Sequence, residues 1–257
     1  MTSLKIATYN IRTDTPEDGD WSWQTRKSHV KCLINYHNWD VFGVQEVLPH
    51  QLDDLKELRD YEFVGVARDD GKIEGEYNGL FFKKDRFILV DSHYFWLSDT
   101  PDEPSIHPTA GCKRICVCTT LKEKTSNKEI TLAVTHLDHV SEEARVLGAE
   151  IIINRVKKHF NNPFILMGDF NAEPSEQTYK LLSTELTDAK YKPGAFVYGP
   201  KGTFQEFDYT CSWNNLVEID YLFVSESVTV KRLGTLTDST DCRFPSDHFP
   251  VVAHIDL

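Results

Sequence analysis

The amino-acid sequence predicts an α/β or α+β fold in which mixed β-sheets are covered by helices. The first supporting observation is that short apolar runs of strand length alternate with helical segments along the whole chain. The second is that 40% of the 257 residues are hydrophobic and 12% are aromatic, enough to bury a large core without disulfides. No internal repeat or Gly/Ser linker divides the chain, so the sequence predicts one domain over residues 1–257.

The first quarter of the chain is predicted as strand, helix, strand and helix. Residues 4–9 form an apolar run of strand length, and residues 26–38 carry apolar side chains at helical spacing. Residues 41–47 form a second buried strand, with Glu46 near its end. Pro49 then suits the first turn of a helix, where its missing N–H costs no hydrogen bond.

The middle of the chain is rich in short β-type runs separated by turn residues. The predicted strands are 61–67, 79–83, 87–96, 112–121 and 129–137. Ser126 and Asn127 predict a hairpin turn between the last two strands, because both residue types favour turns.

The final part of the chain returns to alternating helices and strands. Ser141 followed by Glu142 and Glu143 predicts a helix start, because a serine caps the free N–H groups and acidic residues suit the helix dipole. This helix is expected to reach about Phe160. The later predicted elements are strand 164–167, helix 174–182, a long loop to Asn215, and strands 218–224, 228–237 and 251–255.

The net charge of −12 limits the kinds of partner this chain can have. Affinity that rests on broad neutralisation of phosphates needs a surplus of Lys and Arg, so the acidic balance argues against such a protein. It leaves open phosphate chemistry where a divalent cation supplies positive charge. No run approaches the ~18 apolar residues of a membrane span, and the first residues lack a secretion-signal pattern, so we expect a cytoplasmic protein.

The cysteines raise the question of a metal site. Cys112, Cys116 and Cys118 are close in sequence, but zinc sites usually contain paired ligands such as Cys-x2-Cys, and this sequence has none. Residues 114–118 also alternate within an apolar, strand-like run. The sequence therefore favours free thiols.

The most informative polar residues stand at the ends of predicted strands. They are Asn10, Glu46, His136, Asp169, Asn171, Asp220, Asp247 and His248. Layered α/β proteins bind ligands where strand ends converge, so we expect these side chains to share one cleft.

Taken singly, most of these residues also have an ordinary structural interpretation. Asn10 could form a turn, Glu46 could cap a helix, and the Asp169-x-Asn171 pair could form an Asx-turn. Asp220 differs, because it lies in an apolar run where an ionised carboxylate is costly unless it is paired.

Together the motifs resemble those of the endonuclease/exonuclease/phosphatase superfamily. The motifs are Tyr-Asn-Ile-Arg, Val-Gln-Glu-Val, Thr-His-Leu, Gly-Asp-Phe-Asn, Ile-Asp-Tyr and Ser-Asp-His-Phe-Pro, and they run from Asn10 to Pro250. The tract Trp23-x2-Arg26 is most similar to the deadenylase-like branch or to an uncharacterised bacterial-type branch. The resemblance implies a four-layered sandwich of two mixed β-sheets packed face to face and flanked by helices.

The resemblance also implies a metal-dependent phosphoesterase. Glu46, together with Asn10 and Asp247 directly or through water, would bind the metal. Such oxygen ligands suit Mg²⁺ or Mn²⁺ better than zinc.

The remaining motif residues would act on the phosphate ester. His248 would be the general base or would orient the phosphate, with Asp220 holding its ring at about 3 Å. Asp169 and Asn171 would position the water and the phosphoryl oxygens. His136 would stabilise the phosphoryl or the leaving group.

Two further residues are candidate phosphate contacts. Arg114 could hold a phosphate through two parallel N–H bonds, or it could be a surface arginine of a strand. Asn78 has a residue type that is common in turns, and the resemblance to the family makes it a possible residue of the cleft.

The adjacent residues Asp247 and His248 also have an ordinary interpretation, as two polar residues of a loop.

The loops 14–23, 99–111 and 190–215 would select the substrate. The first is acidic, which fits poorly against a polyanion. We therefore favour a small or single-stranded phosphate ester, with a nucleotide, RNA or a phospholipid head group all open, and no obligate protein partner evident. The alternatives are a nuclease on duplex DNA and an inactive binding module with the same fold.

Overall fold

The computed structural model describes residues 2–160 and 162–257, within which thirteen β-strands form two mixed sheets. Outside the described residues lie Asn161 and Met1, and Met1 is the first residue of the segment in which the sequence lacks a secretion-signal pattern. In chain order the strands are β1 (Ser3–Asn10), β2 (Val41–Val47), β3 (Tyr61–Ala67), β4 (Tyr77–Lys83), β5 (Phe87–Trp96), β6 (Ile115–Glu123), β7 (Glu129–His136), β8 (Phe164–Asp169), β9 (Thr187–Asp188), β10 (Phe196–Tyr198), β11 (Asp220–Val224), β12 (Thr229–Thr235) and β13 (Val251–Asp256).

Four α-helices connect or flank these strands in the described ranges. They are α1 (Trp23–His37), α2 (Pro49–Leu55), α3 (Glu142–Val156) and α4 (Gln177–Glu185). Ser141 caps α3 as predicted, because its hydroxyl accepts a hydrogen bond from the backbone N–H of Ala144. No helix in these ranges is long and apolar enough to cross a bilayer.

The boundaries differ from the predicted ones where long-range contacts decide them. The predicted loop up to Asn215 contains β10, which pairs with β12 at the edge of its sheet. Helix α4 starts three residues later than predicted, because residues 173–176 form a turn closed by the hydrogen bond from Glu176 N to Glu173 O. Strand β6 begins at Ile115, so residues 112–114 stay outside the ladder.

The strands and helices form the predicted four-layered sandwich. The seven-stranded sheet has the order β10-β12-β13-β1-β2-β4-β3, and the six-stranded sheet has the order β5-β6-β7-β8-β11-β9. Fully buried apolar side chains such as Ile6, Val134 and Met167 fill the space between the sheets. Helices α1 and α2 cover the outer face of the first sheet, and α3 and α4 cover that of the second.

Two parallel strand pairs position the motif residues. Strands β1 and β2 are parallel and are connected through α1, while β7 and β8 are parallel and are connected through α3. The two pairs face each other across the core, so all four carboxyl ends meet at one edge of the sandwich. Strands β11 and β13 run antiparallel to β8 and β1, so they begin at this same edge.

Candidate active site

The converging strand ends enclose a cleft of about 340 Å³. The predicted residues on its wall are Glu46, Arg114, His136, Asp169, Asn171, Asp247 and His248. Asn10 and Asp220 are not on the wall. They lie beneath it, where Asn10 is hydrogen-bonded to Glu46 and Asp220 to His248. Seven of the predicted residues thus line one cleft and two contact them from the layer beneath, while their roles stay predictions.

Asn10 organises the floor of the cleft. Its Nδ2 donates to Glu46 Oε1 at 2.8 Å and to Asp169 Oδ2 at 3.0 Å, while its Oδ1 accepts from the backbone N–H of Arg12. Asn10 thus holds two carboxylates in place, and its Oδ1 keeps a second lone pair. Its role as a metal ligand, directly or through water, stays a prediction.

Glu46 reaches the cleft because β2 is irregular at its end. The pairing with β4 shifts register between Val44 and Val47, and Glu46 adopts a left-handed backbone with φ of 63°. Burial raises its carboxyl pKa, but the charge of His248 and hydrogen bonds from Asn10 and Thr13 outweigh it, so the pKa is lowered. Glu46 is thus held ionised.

Asp169 and Asn171 form the predicted Asx-turn and also line the cleft. The backbone N–H of Asn171 donates to Asp169 Oδ1 at 2.9 Å, and the Asn171 side chain donates to the carbonyl of Leu137. Burial, together with the nearby charge of Asp220, raises the pKa of Asp169 to about 7. The structural and functional interpretations of this pair are therefore compatible.

His248 is held by Asp220, as the sequence predicts. Its Nδ1 lies 2.8 Å from Asp220 Oδ2, which also accepts a hydrogen bond from the hydroxyl of Thr203 at 2.6 Å. Burial opposes a charged imidazole, but the carboxylates of Asp220 and Asp169 outweigh it and raise the pKa of His248 well above its usual value. This arrangement favours the imidazolium.

His136 has the opposite electrostatic setting. Its Nε2 lies 3.4 Å from Asp169 Oδ2 at the end of β7. Burial, with the nearby positive charge of Arg114, lowers the pKa of His136 well below its usual value. His136 therefore contributes a neutral imidazole to the cleft.

Two carboxylates that could hold a cation lie beside the His248 imidazolium, which has no free lone pair for a metal. Ligand atoms of Glu46, Asp169 and His248 all lie within 4.8 Å of one another. Asp247, predicted as a ligand, is instead outside this group: its Oδ2 lies 3.5 Å from an Arg12 nitrogen, and its Oδ1 accepts from the Ser246 hydroxyl. Two neighbouring carboxylates suit a hard divalent cation, because its charge would offset the burial and the repulsion from Asp220 that raise the pKa of Asp169.

The two candidate phosphate contacts have different positions. Arg114 is only 6% exposed and lines the cleft, so the interpretation as a surface arginine is wrong. Asn78 is buried, and its amide donates to the carbonyl of Ile115 in the other sheet. That contact joins the two sheets, and Asn78 is not on the cleft wall, so its role as a substrate contact stays a prediction that this position does not favour.

Several cleft residues were not identified from the sequence. They are Arg12, Thr13, Arg68, Glu76, His139 and Ile219. Cys112 and Phe204, which also line the cleft, were considered from the sequence only as a metal ligand and as an aromatic residue of the loop 190–215. Arg12 and Thr13 lie two and three residues after Asn10, so the motif itself offered a signal for them. Arg68 and Glu76 form an ion pair across a nine-residue loop that has no distinctive pattern.

Arg26, which belongs to the Trp23-x2-Arg26 tract, has a structural role that the sequence did not predict. Its guanidinium is fully buried and donates to the carbonyls of Ile11 and Pro245, both at 2.9 Å. These carbonyls follow β1 and precede β13, so Arg26 fixes the first and last motifs relative to each other.

The cysteines are free thiols in the described parts of the chain, as expected. Cys116 and Cys118 belong to the core beneath α3 and α4, whereas Cys112 lines the cleft. Cys112 lies near Asp138 and His139. However, the oxygens of Asp138 accept hydrogen bonds from the backbone N–H groups of residues 111, 140 and 141, so Asp138 anchors loops.

Comparison with known proteins gives a consistent set of similarities. Residues 7–248 match the sequence model of the Endonuclease/Exonuclease/phosphatase family. A functionally unknown conserved protein from Enterococcus faecalis V583 is 43% identical, with a TM-score of 0.93 and coverage of 98% of this chain and 99% of that one. A mannosyl-6-phosphatase from Bacteroides thetaiotaomicron is 37% identical, with a TM-score of 0.93 and coverage of 99% and 100%.

Human nocturnin is more distant. It is 32% identical over 256 residues, which cover 90% of this chain and 57% of nocturnin. The chain thus spans little more than half the length of the curated nocturnins from human, mouse and rat that it matches.

Proposed function

Because this chain belongs to the Endonuclease/Exonuclease/phosphatase family, whose members are phosphoesterases and nucleases, we propose that it is a divalent-metal-dependent phosphoesterase acting on a small phosphate ester. The observation that carries the proposal is the group of Glu46, Asp169 and His248 at the floor of the cleft, with Asp220 holding His248. A cleft of about 340 Å³ suits a phosphate and a small organic group.

Glu46 and Asp169 would bind the cation, and water would complete its coordination. Carboxylate and water oxygens favour Mg²⁺ or Mn²⁺. A cation bound there would supply Lewis-acid stabilisation of the phosphoryl oxygens and lower the pKa of water.

Each side chain of the cleft would have a role in hydrolysis that depends on its charge. His248, protonated beside Asp220, would donate a hydrogen bond to a phosphoryl oxygen and balance its negative charge. Asp169, ionised when the cation is bound, would position the attacking water by accepting a hydrogen bond from it. Neutral His136 would donate to the phosphoryl or leaving oxygen, and Asn171 would position these groups.

A second lobe of the cleft has a lining that suits an uncharged, hydroxylated leaving group. This lobe of about 440 Å³ shares Arg12, Phe204 and Asp247 with the cleft. Asp18 also lines this lobe but is already bonded to Arg12. Trp21 and Phe207 add aromatic faces, while the carboxylates of Glu17 and Glu206 could accept hydrogen bonds from hydroxyl groups. The same carboxylates repel a polyanion, which favours a small ester such as a sugar phosphate over nucleic acid.

The thiols bear on the proposed compartment. Cys32, Cys211 and Cys242 are at least partly exposed and unpaired in the described chain. Free exposed thiols persist best in a reducing compartment, which supports a cytoplasmic location. We also propose that residues 1–257 act as one domain, since both sheets share one core.

A hydrolysis panel tests the proposed function. Wild-type protein is assayed with Mg²⁺, Mn²⁺ or a chelator on chromogenic monoesters and diesters, hexose phosphates, and single-stranded and duplex oligonucleotides. We expect activity on small esters that the chelator removes and that Glu46→Ala or His248→Ala lowers by about 100-fold or more. Glu150→Ala, at an exposed position of α3, is the control. Activity that survives both cleft substitutions would mean that hydrolysis takes place at another site. Faster cleavage of duplex DNA than of the small esters would mean that the substrate is a nucleic acid.

A further inference from the structure

The cleft contains buried arginine N–H groups that lack acceptors. One terminal nitrogen of Arg114 and Nε of Arg68 are buried and have no hydrogen-bond partner among the described residues. Nε of Arg114 also lacks a hydrogen bond, but it lies 4.0 Å from Asp138 Oδ2, which balances its charge. Both side chains line the cleft. Buried cationic donors are nearly always paired, because leaving them unpaired is costly. The two donors without a partner therefore point to an anion that supplies the acceptors.

We propose that Arg68 and Arg114 form a subsite for the terminal oxygens of a dianionic phosphate, and that this subsite makes the protein select phosphomonoesters over phosphodiesters. The inference rests on the proposed phosphoesterase function and specifies its substrate class.

The subsite lies at the ends of four strands, at the same edge of the sandwich as Glu46 and Asp169. Arg68 follows β3, Glu76 precedes β4, Arg114 precedes β6 and His139 follows β7. This group is distinct in sequence from the group of Glu46, Asp169 and His248, but the two share one cleft. A single phosphate could therefore contact a cation on one side and the arginines on the other.

Neighbouring side chains hold both guanidinium groups in place. Arg68 forms an ion pair with Glu76 through one terminal nitrogen, which leaves Nε free for a ligand. Arg114 donates to His139 Nδ1 at 3.1 Å. Because a guanidinium only donates, this ring nitrogen must be unprotonated, and burial with the charge of Arg114 lowers the pKa of His139 accordingly. Both arginines are thus oriented before a ligand binds.

The number of donors fits a monoester better than a diester. A phosphomonoester dianion has three terminal oxygens, so one can face a cation while the others accept from the two arginines. A diester has two such oxygens and carries a second organic group in place of the third. That group would lie against the buried donors without accepting hydrogen bonds from them.

The first experiment measures binding without turnover. Thermal unfolding of the wild type in Mg²⁺ is recorded over a titration of inorganic phosphate and compared with Arg68→Gln and Arg114→Gln. We expect about tenfold weaker phosphate binding in each variant. Arg155→Gln is the matched control, since Arg155 pairs with Asp102 on the surface. Phosphate binding unchanged in both cleft variants would overturn the subsite.

The second experiment measures selectivity. We expect Arg68→Gln to lower kcat/KM for a chromogenic monoester by about 10- to 100-fold, and that for the matching diester by less than about threefold. Arg68→Lys and Arg114→Lys, which keep the charge, should retain the fold and part of the selectivity. An equal loss on both substrates would overturn the proposal. Absence of all hydrolysis by the wild type would instead remove the proposed function, while phosphate binding would still report on the subsite.

Discussion

Asp220 shows how one buried carboxylate sets the charge of a neighbouring imidazole. It is 3% exposed, and its Oδ2 receives hydrogen bonds from both His248 and Thr203. Its Oδ1 has no partner in the described residues. The negative charge of Asp220 is therefore balanced mainly through Oδ2, where His248 is bound. An ionised Asp220 is therefore stable only beside a protonated or hydrogen-bonding ring.

We expect Asp220→Asn to change the pH dependence of hydrolysis. An amide cannot supply the charge that raises the pKa of His248, so the imidazolium should be lost at lower pH. If protonated His248 stabilises the phosphoryl group, the alkaline limb of kcat/KM moves to lower pH, and activity at pH about 7.5 falls at least about tenfold. Steady-state kinetics from pH 5 to 10 would measure both effects.

The surface pair of Asp238 and His37 provides the control for this substitution. Its two side chains lie 3.1 Å apart and are partly exposed. Asp238→Asn should leave the profile unchanged. An Asp220→Asn profile with the wild-type alkaline limb would show that Asp220 does not govern the charge of His248.

Asp169 gives a prediction about stability and pH. Its pKa is about 7 in the folded protein against a usual value of 3.8, so between these values the folded state binds more protons than the unfolded state. Its contribution to stability therefore decreases as pH rises from about 4 to 7. We expect Asp169→Asn to stabilise the metal-free protein by about 1–3 kcal/mol at pH 8, with little gain at pH 5.

Chemical denaturation in a chelator at the two pH values checks this prediction. Asp208, whose carboxylate is exposed in a loop, provides the control variant Asp208→Asn. A gain of equal size at both pH values would mean that packing, rather than charge, explains the effect.

At the scale of elements, the end of β8 depends on a glycine. Gly168 has φ of 149°, and a Cβ there would lie 1.9 Å from the carbonyl oxygen of Thr135 on β7. Only a residue without a side chain allows the two strands to stay paired at this point. Since Asp169 is the next residue, this local geometry aims the carboxylate into the cleft.

Gly168→Ala should therefore damage both stability and the cation site. Relieving the overlap must shift backbone atoms, which we expect to cost at least about 2–3 kcal/mol of unfolding free energy. Mg²⁺ affinity should fall because Asp169 moves with the strand. Urea denaturation and calorimetric titration of Mg²⁺ would measure the two effects.

The matched control is Gly234→Ala in β12. A Cβ at that position meets its nearest atom at 3.7 Å, which is ordinary contact. Its effect should stay within about 0.5 kcal/mol. If Gly168→Ala behaved like this control, the close approach of β7 and β8 would not be essential.

At the scale of the whole molecule, the candidate cation site joins the two sheets. Glu46 comes from β2 of the first sheet and Asp169 from β8 of the second. A ligand that binds only this folded arrangement stabilises the entire sandwich by mass action.

Saturating Mg²⁺ should consequently raise the melting temperature. At about 100 times its Kd the cation contributes about 2.7 kcal/mol, which corresponds to about 5–10 °C for a chain of this size. Glu46→Gln should remove the rise, whereas the exposed Glu150→Gln should retain it. Differential scanning calorimetry with and without chelator provides the test, and a full rise in Glu46→Gln would argue for a different cation site.

The sequence by itself determined the layered architecture and most of the motif positions. Alternation and helical spacing report on local burial, so the strand 41–47 and the N-cap at Ser141 agree with the structure. Asp220 stood out for the same reason, since a carboxylate inside an apolar strand requires a partner.

Only the tertiary structure decided what each polar group faces. The sequence placed Asn10 at the site, but only the structure shows that its amide N–H groups orient two carboxylates. Asn78 joins the sheets, and the pair of Arg68 and Arg114 emerges only when four strand ends meet at one edge. The physical reason is that the sequence pattern records whether a side chain is buried, whereas hydrogen-bond direction and charge pairing depend on residues brought close by the packing of two sheets.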